Sequence, residues 1–332
     1  MVNSASLSSV LTIASLIFFA RSSLALDRIT IGLSSLSPTN GAIWVADEQG
    51  LFRKHGIETR VVAIGGGAAR AISVLVSGEV QFASAGGIAV IRAALAGADV
   101  VMVASVLNQG IQRVLTRPEL KSPKDLIGKK VGIAGFGSAS HAVFLLLLQK
   151  WGISPEQIQI VQADSSPAML LALEKVHIDG AVLTEPYSFV AEDRGFRVLA
   201  DPADSDIFYL QNMLATTRGY LRTHYEQSTK FIKGYVEGLS YFKKNKKQSL
   251  EILRKKLKLG SQQERYLEKS YDLYVSKYYD RSPYPSLQGV KTLLEYQVKN
   301  DPKARGVDPN SFIDPSIVKN LDQSGFITLL YE

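Results

Sequence analysis

The chain has 332 residues, of which 46% are apolar and 21% charged, and it contains no cysteine. This composition is typical of a folded globular protein of about two domains, and the lack of cysteine excludes disulfides, thiolate metal sites and thiol nucleophiles. The net charge of +7 is a mild excess that favours weak attraction of anions over nucleic-acid binding. Because the four histidines show no metal-ligand spacing, we expect neither a metal nor a cofactor.

The first 25 residues are predicted to be a signal peptide. Residues 10–20 carry no charge, and Ser23 and Ala25 are small residues at the two positions that a signal peptidase requires. Arg21 ends this apolar run well short of the roughly 20 residues that a membrane span needs. We therefore expect cleavage after Ala25 and a soluble protein in the periplasm, although no Lys or Arg precedes the run.

From residue 28 onward, short β-branched runs alternate with helical patterns, which indicates parallel βαβ units. A first series predicts strands at 28–33, 57–64, 80–84 and 100–106, with helices at 40–55, 67–77 and 86–97. A second series predicts strands at 130–133, 158–161, 179–183 and 196–200, with helices at 139–151, 165–175 and 185–194. Because both series follow the same order, we expect two related α/β lobes.

Beyond residue 218 the apolar pattern has a helical period throughout, including helices predicted at 286–299 and from Asp314 to Gly325. This region has too little independent patterning for a βαβ domain of its own. We expect its apolar stripes to cover a face of a sheet.

Candidate site residues lie where predicted strands end, because ligands of parallel α/β sheets bind beyond the carboxyl ends of the strands. In the first series these ends provide Ser37 and Asn40 with Trp44 in the next helix, then Gly66, then Ser84 and Gly86, and then Asn108. In the second series they provide Gly137, Ser138 and Ser140 at a helix start, and Glu185 after a buried strand.

The segment 135–141 has chemistry suited to an anion, because it combines small residues and two hydroxyls with a helix N-terminus. It matches neither the dinucleotide fingerprint nor the P-loop. An ordinary turn capped by Ser138 or Ser140 explains the same residues equally well. Glu185 is a general base, a ligand acceptor or simply a helix-start carboxylate, and His141 is favoured as a polar helix-start residue.

Four runs carry a resemblance to a known family: residues 44–58, 75–83, 137–141 and 179–187. They resemble the substrate-binding proteins of ABC importers for sulfonates, nitrate and thiamine-pyrimidine precursors. The resemblance implies a type II periplasmic binding protein fold of two α/β lobes, each a mainly parallel sheet flanked by helices, with a helical C-terminal region. It implies lobe I at 26–112 plus 213–332 and lobe II at 113–212, and a ligand in the cleft whose capture signals to a membrane permease.

The predicted function is therefore capture of a small molecule carrying one anionic group, without a metal, by a monomer that serves an ABC permease. A neutral pyrimidine-like ligand stacked on Trp44 and bound by Glu185 is the alternative ligand. The same resemblance reaches thiamine-pyrimidine synthases, but these enzymes carry a cysteine-rich motif that this chain cannot have. A subunit that presents its ligand to a sensor is the third possibility.

Overall fold

Two five-stranded sheets form the framework of the protein, described here by a computed structural model of residues 26–205, 207–258, 261–298 and 301–332. The predicted signal peptide lies outside the described residues. The strands in chain order are β1 (Asp27–Leu33), β2 (Ile57–Ala63), β3 (Phe82–Ala85), β4 (Val100–Gln109), β5 (Arg113–Thr116), β6 (Lys130–Ile133), β7 (Gln159–Gln162), β8 (Gly180–Leu183), β9 (Arg197–Ala200) and β10 (Phe208–Thr217).

Each sheet is mainly parallel with one strand of opposite direction next to its centre. The first sheet has the order β2-β1-β3-β10-β4, and β10 runs antiparallel to β3 and β4. The second has the order β7-β6-β8-β5-β9, and β5 runs antiparallel to β8 and β9. The chain therefore passes from the first sheet to the second after β4 and returns after β9. We call the parts built on these sheets lobe I and lobe II.

Helices flank both sheets. They are α1 (Gly41–Glu48), α2 (Leu51–Lys54), α3 (Gly67–Val76), α4 (Gly87–Leu95), α5 (Ala139–Trp151), α6 (Ser166–Glu174), α7 (Tyr187–Asp193), α8 (Arg218–Thr223), α9 (Tyr225–Lys244), α10 (Lys246–Leu257), α11 (Ser261–Leu273), α12 (Leu287–Val298), α13 (Ser316–Gln323) and α14 (Phe326–Leu329). None of the described helices is both long and apolar enough to cross a bilayer.

The predicted two-lobed α/β fold is confirmed, with two differences in its elements. The helix predicted at 40–55 is divided into α1 and α2 because Gly50 between them has a φ of 67°, which no regular helix contains. The strands β5 and β10 were not predicted, and β10 starts at Phe208, five residues before the predicted return to lobe I at 213.

The C-terminal helices complete the core of lobe I. Phe231 of α9 is fully buried, and its ring stacks on Phe52 of α2 and on Phe82 of β3 with centroid distances of 5.0 and 4.3 Å. Tyr235, one turn further on, donates a hydrogen bond to the carbonyl oxygen of Ser105 in β4. The apolar stripe predicted beyond residue 218 thus covers one face of the first sheet.

The same helical region also contacts lobe II. The hydroxyl of Tyr278 donates to Asp201 at 3.0 Å, and that of Tyr266 donates to Asp193 at 3.0 Å. Lys277 forms an ion pair with Asp204 at 2.7 Å. The two lobes are therefore joined by polar side-chain contacts as well as by the two backbone crossings.

Candidate functional site

A cavity of about 860 Å³ lies beyond the carboxyl ends of β1 and β3 and reaches lobe II at the first turn of α5. Lobe I contributes the loop after β1, one face each of α3 and α4, and the start of β10. Lobe II contributes Gly137, Ser138 and Ala139. The cavity is thus shared by both lobes, which is the arrangement expected of a ligand cleft in an α/β protein.

The first turn of α5 offers hydrogen-bond donors to this cavity. Ser138 is the N-cap, and its Oγ accepts from the backbone N–H of His141 at 3.3 Å. The N–H groups of Ala139 and Ser140 precede the first intrahelical hydrogen bond and are free by helix geometry. Ser140 itself is buried, and its Oγ accepts from the N–H of Ala134 at 2.9 Å. The backbone N–H of Ser140 is therefore free to bind a ligand, while its side chain stabilises the turn.

The backbone N–H of Gly137 is already engaged. It donates to Nδ1 of His141 at 3.0 Å, in a turn where Gly137 has a φ of 80°. Burial lowers the pKa of His141, which favours the neutral imidazole. The hydroxyl of Tyr296 lies 3.5 Å from the same nitrogen. Gly137 was predicted to donate a backbone hydrogen bond to the ligand, but in this conformation its N–H donates to His141 instead.

A buried polar network holds the loop after β1. Asn40 accepts from Ser84 Oγ at 2.7 Å and from Asn212 Nδ2 at 3.2 Å, and it donates to the carbonyl oxygen of Ser35 at 3.0 Å. Asn40 and Ser84 are 1% and 0% exposed and do not line the cavity. They position Ser37, which does line it. Asn212 also lines the cavity and was not predicted.

The remaining predicted residues divide between the cavity and its surroundings. Gly86 lines the cavity, and Gly66 lies just outside the lining at the start of α3. The side-chain amide of Asn108 donates hydrogen bonds to Asp280 and to the Tyr284 carbonyl oxygen, away from the cavity. Trp44 is 2% exposed within the core of lobe I, because it lies on the apolar face of α1. A ligand in this cavity therefore does not touch Trp44.

Glu185 lies in the interior between the lobes and not in the lining of the cavity. One carboxylate oxygen accepts from the Tyr274 hydroxyl at 3.3 Å, and the other has no partner among the described residues. Burial raises the pKa of Glu185 to about 7, and the nearby charge of Arg113 only partly opposes this effect. Its predicted contact with a ligand has no support in this conformation.

Arg92 and Tyr209 line the cavity, and neither was predicted. Among the described residues that line the cavity, Arg92 of α4 is the only charged one, and its Nε donates to Gln297 Oε1 at 3.0 Å. An arginine inside a predicted helix gives no sequence signal that distinguishes it from a surface residue. The cavity thus combines one cation with the free N–H groups of α5.

The family described as NMT1/THI5 like matches residues 37–249, which is more than half of the chain. The chain belongs to this family. The resemblance to substrate-binding proteins of ABC importers, predicted from four sequence runs, is therefore confirmed.

One curated relative is the taurine-binding periplasmic protein of Escherichia coli K12, which is 33% identical over 132 residues. The aligned part covers 39% of this chain and 40% of that protein, so the chain matches less than half of the relative's length.

Solved structures show the same fold over most of the chain. The periplasmic aliphatic sulphonate binding protein SsuA of Escherichia coli has a TM-score of 0.73 at 20% identity and covers 88% of this chain and 99% of its own. The periplasmic nitrate-binding protein NrtA of Synechocystis PCC 6803 has a TM-score of 0.71 at 12% identity, covering 90% of this chain and 89% of its own. At these identities the likeness concerns the fold.

The polar chemistry of the cavity is that of hydrogen bonding. Among the described residues, no group of three or more His, Asp or Glu side chains could hold a metal ion. The polar groups in the lining are hydroxyls, amides, backbone N–H groups and the Arg92 guanidinium. These groups can orient and neutralise an anion by hydrogen bonding.

Proposed function

We propose that this protein is an extracytoplasmic solute-binding protein that captures a small anion between its lobes and delivers it to an ABC importer. The proposal extends to this chain what the taurine-binding relative and the sulfonate- and nitrate-binding structures are named for. A periplasmic location and a monomeric state belong to the same proposal, and the lobe boundaries at 26–112 plus 213–332 and 113–212 remain predictions.

The observation that carries the proposal is the composition of the shared cavity. Its lobe II side is the N-terminus of α5, where the free N–H groups and the helix dipole favour negative charge. Its lobe I side adds the Arg92 guanidinium. A ligand held by groups from both lobes stabilises the closed arrangement of the lobes, since it binds that arrangement better than an open one.

Several features favour binding over catalysis. Within the part of the chain that the structure describes, the lining contains serines but no histidine or carboxylate beside them that could act as a base. His141 lies behind the turn with its Nδ1 engaged by Gly137. The alternative of a neutral pyrimidine lacks support because Trp44 and Glu185, its proposed contacts, do not line the cavity.

Replacing Ser138 by alanine is expected to weaken binding of a small sulfonate roughly ten- to a hundredfold. The reason is that a hydrogen bond to a charged group contributes about 1.5–3 kcal/mol. Because Ser138 also caps α5, we expect the apo protein to lose about 1 kcal/mol of stability. Titration calorimetry with sulfonates, carboxylates, nitrate and pyrimidines measures the first effect, and thermal unfolding the second.

Ser165→Ala is the matched control, since Ser165 caps α6 of the same lobe by accepting from the Ala168 N–H at 3.4 Å. It should cost similar stability and leave ligand affinity unchanged. Binding of neutral heterocycles alone, unaffected by Ser138→Ala, would contradict the anion proposal.

A further inference from the structure

Two glutamine side chains link the two backbone crossings between the lobes. Gln112 lies on the first crossing, between the end of β4 and the start of β5, and Gln211 lies in β10, which follows the second crossing. The Nε2 of Gln112 donates to the Oε1 of Gln211 at 3.1 Å. Gln211 lines the cavity, whereas Gln112 is 3% exposed and lies behind the lining. The buried glutamine is therefore placed to act on the cavity through its partner.

The neighbouring backbone fixes which way the Gln112 amide points. Its Oε1 lies 3.2 Å from the backbone nitrogen of Ile111, and a backbone N–H can only donate. The atom that faces this N–H must be the oxygen, because the amide nitrogen is itself a donor. Turning the amide over would set two donors against each other and leave the buried N–H of Ile111 without its acceptor, which costs free energy.

The same argument fixes the Gln211 amide. Because Gln112 presents its Nε2, the atom of Gln211 that receives this hydrogen bond must be Oε1. The Nε2 of Gln211 carries two hydrogens and makes no hydrogen bond to any residue that the structure describes. Since Gln211 is half-buried in the lining of the cavity, this nitrogen is a donor within reach of a bound ligand.

The pair lies beside α5, whose first turn forms the lobe II side of the cavity. Gly110, which precedes Gln112 on the first crossing, packs against this helix, since a Cβ on Gly110 would come within 2.8 Å of Val143 Cγ2. The same Cβ would be 3.4 Å from Oε1 of Gln112. Val143 is about one turn beyond Ala139, which lines the cavity. The Gln112 amide is thus enclosed between the first crossing, β10 and α5.

We infer that Gln211 is a specificity-determining residue of the cavity and that Gln112 is a positioning residue, which holds the Gln211 amide with its nitrogen toward the ligand. This inference rests on the proposed function and deepens it. In this orientation Gln211 donates to a ligand group that accepts hydrogen bonds, such as an oxygen atom of an anion, and disfavours a group that donates them. The pair selects ligands by the direction of their hydrogen bonds.

Replacing Gln211 by methionine, a side chain of similar length without polar hydrogens, removes this donor. Methanesulfonate should bind roughly ten- to a hundredfold more weakly, because a hydrogen bond to a charged group is lost. Gln112→Met retains Gln211 but frees its amide to turn. It should weaken methanesulfonate binding roughly three- to tenfold, since the Gln211 side chain must then be ordered when the ligand binds. Titration calorimetry measures both effects.

The double variant Gln112→Met/Gln211→Met separates positioning from a general structural effect. If Gln112 acts through Gln211, Gln112→Met should change methanesulfonate affinity by less than about twofold in the Gln211→Met background. A purely structural role of Gln112 would instead weaken binding by the same factor in both backgrounds.

Selectivity provides a second readout. Methanesulfonamide has nearly the size of methanesulfonate, but it is neutral and has an NH2 donor in place of one oxygen. In Gln112→Met the Gln211 amide can turn its oxygen toward that donor. The ratio of methanesulfonate affinity to methanesulfonamide affinity should therefore fall at least about threefold below that of wild type. A general loosening of the cavity would weaken both ligands and leave the ratio unchanged.

Gln81→Met is the matched control. Gln81 also accepts from a backbone N–H, that of Thr30, at 2.9 Å, and it lies outside the lining of the cavity. The variant should lower the unfolding temperature while leaving the methanesulfonate affinity and the affinity ratio unchanged. Thermal unfolding establishes that every variant is folded.

Unchanged methanesulfonate binding by Gln211→Met overturns the inference and leaves the proposed function intact, as does an equal effect of Gln112→Met in both backgrounds. Absence of methanesulfonate binding by the wild-type protein would count against the proposed function as tested with this anion, and against the inference that depends on it.

Discussion

Replacing Phe231 by alanine is expected to lower the free energy of unfolding by about 4 kcal/mol. The ring is fully buried, and it stacks on Phe52 and Phe82, which come from the N-terminal third of the chain. Its loss removes apolar contact and leaves a cavity between α9, α2 and the first sheet. Urea unfolding followed by circular dichroism measures the change.

Tyr225→Ala provides the control, because Tyr225 lies on the same helix but is 41% exposed. We expect it to cost less than about 1 kcal/mol. If both variants had equally small effects, α9 would not be part of the core of lobe I. The C-terminal helices depend on the N-terminal part of lobe I, because the apolar face of α9 packs against Phe82 and Phe52, which lie 149 and 179 positions before Phe231 in the sequence.

Replacing Glu185 by glutamine should remove a pH dependence of stability of about 3 kcal/mol. In the folded protein the pKa of Glu185 is raised from 4.5 to about 7 by burial. Between these two values the unfolded chain releases the proton while the folded protein keeps it. The stability contributed by this group is therefore fully present below pH 4.5 and is lost as the pH rises through 7.

Urea unfolding at several pH values between 4 and 8 provides the measurement. Wild type should lose stability with rising pH more steeply than Glu185→Gln, and the two curves should diverge by pH 8. Glu119→Gln is the control, because Glu119 is an exposed carboxylate in an ion pair with Arg117. A Glu185→Gln curve parallel to that of wild type would mean that Glu185 titrates as an ordinary carboxyl group.

The sequence predicted eight of the ten strands, because each of the eight is a short apolar run next to a helical pattern. The two missed strands, β5 and β10, return antiparallel without an intervening helix. β5 has only four residues, and two of them, Arg113 and Thr116, are polar although they are buried, so the segment has no apolar run that reveals it. β10 pairs with β4 through register shifts that interrupt its alternation.

Ser138, one of the predicted site residues, lies in the lining of the cavity, and a local signal in the sequence indicated it. Ser138 follows a strand and starts a helix, and both features are visible in the sequence. Arg92 and Tyr209 have no such signal, since one lies in the middle of a helix and the other belongs to the unpredicted strand β10. Trp44 was predicted as a ligand contact because it lies about one turn into its helix, next to the polar loop, but the orientation of α1 against the sheet, which only packing decides, directs its side chain into the core.

The position of β10 between β3 and β4 also determines the order in which the chain can fold during synthesis. β4 joins the first sheet through β10 alone, so that sheet is incomplete until residues 208–217 have been made. All five strands of the second sheet lie between residues 113 and 200. Because contacts between residues close in sequence form before those that need longer loops, we expect lobe II to fold on the nascent chain before lobe I closes.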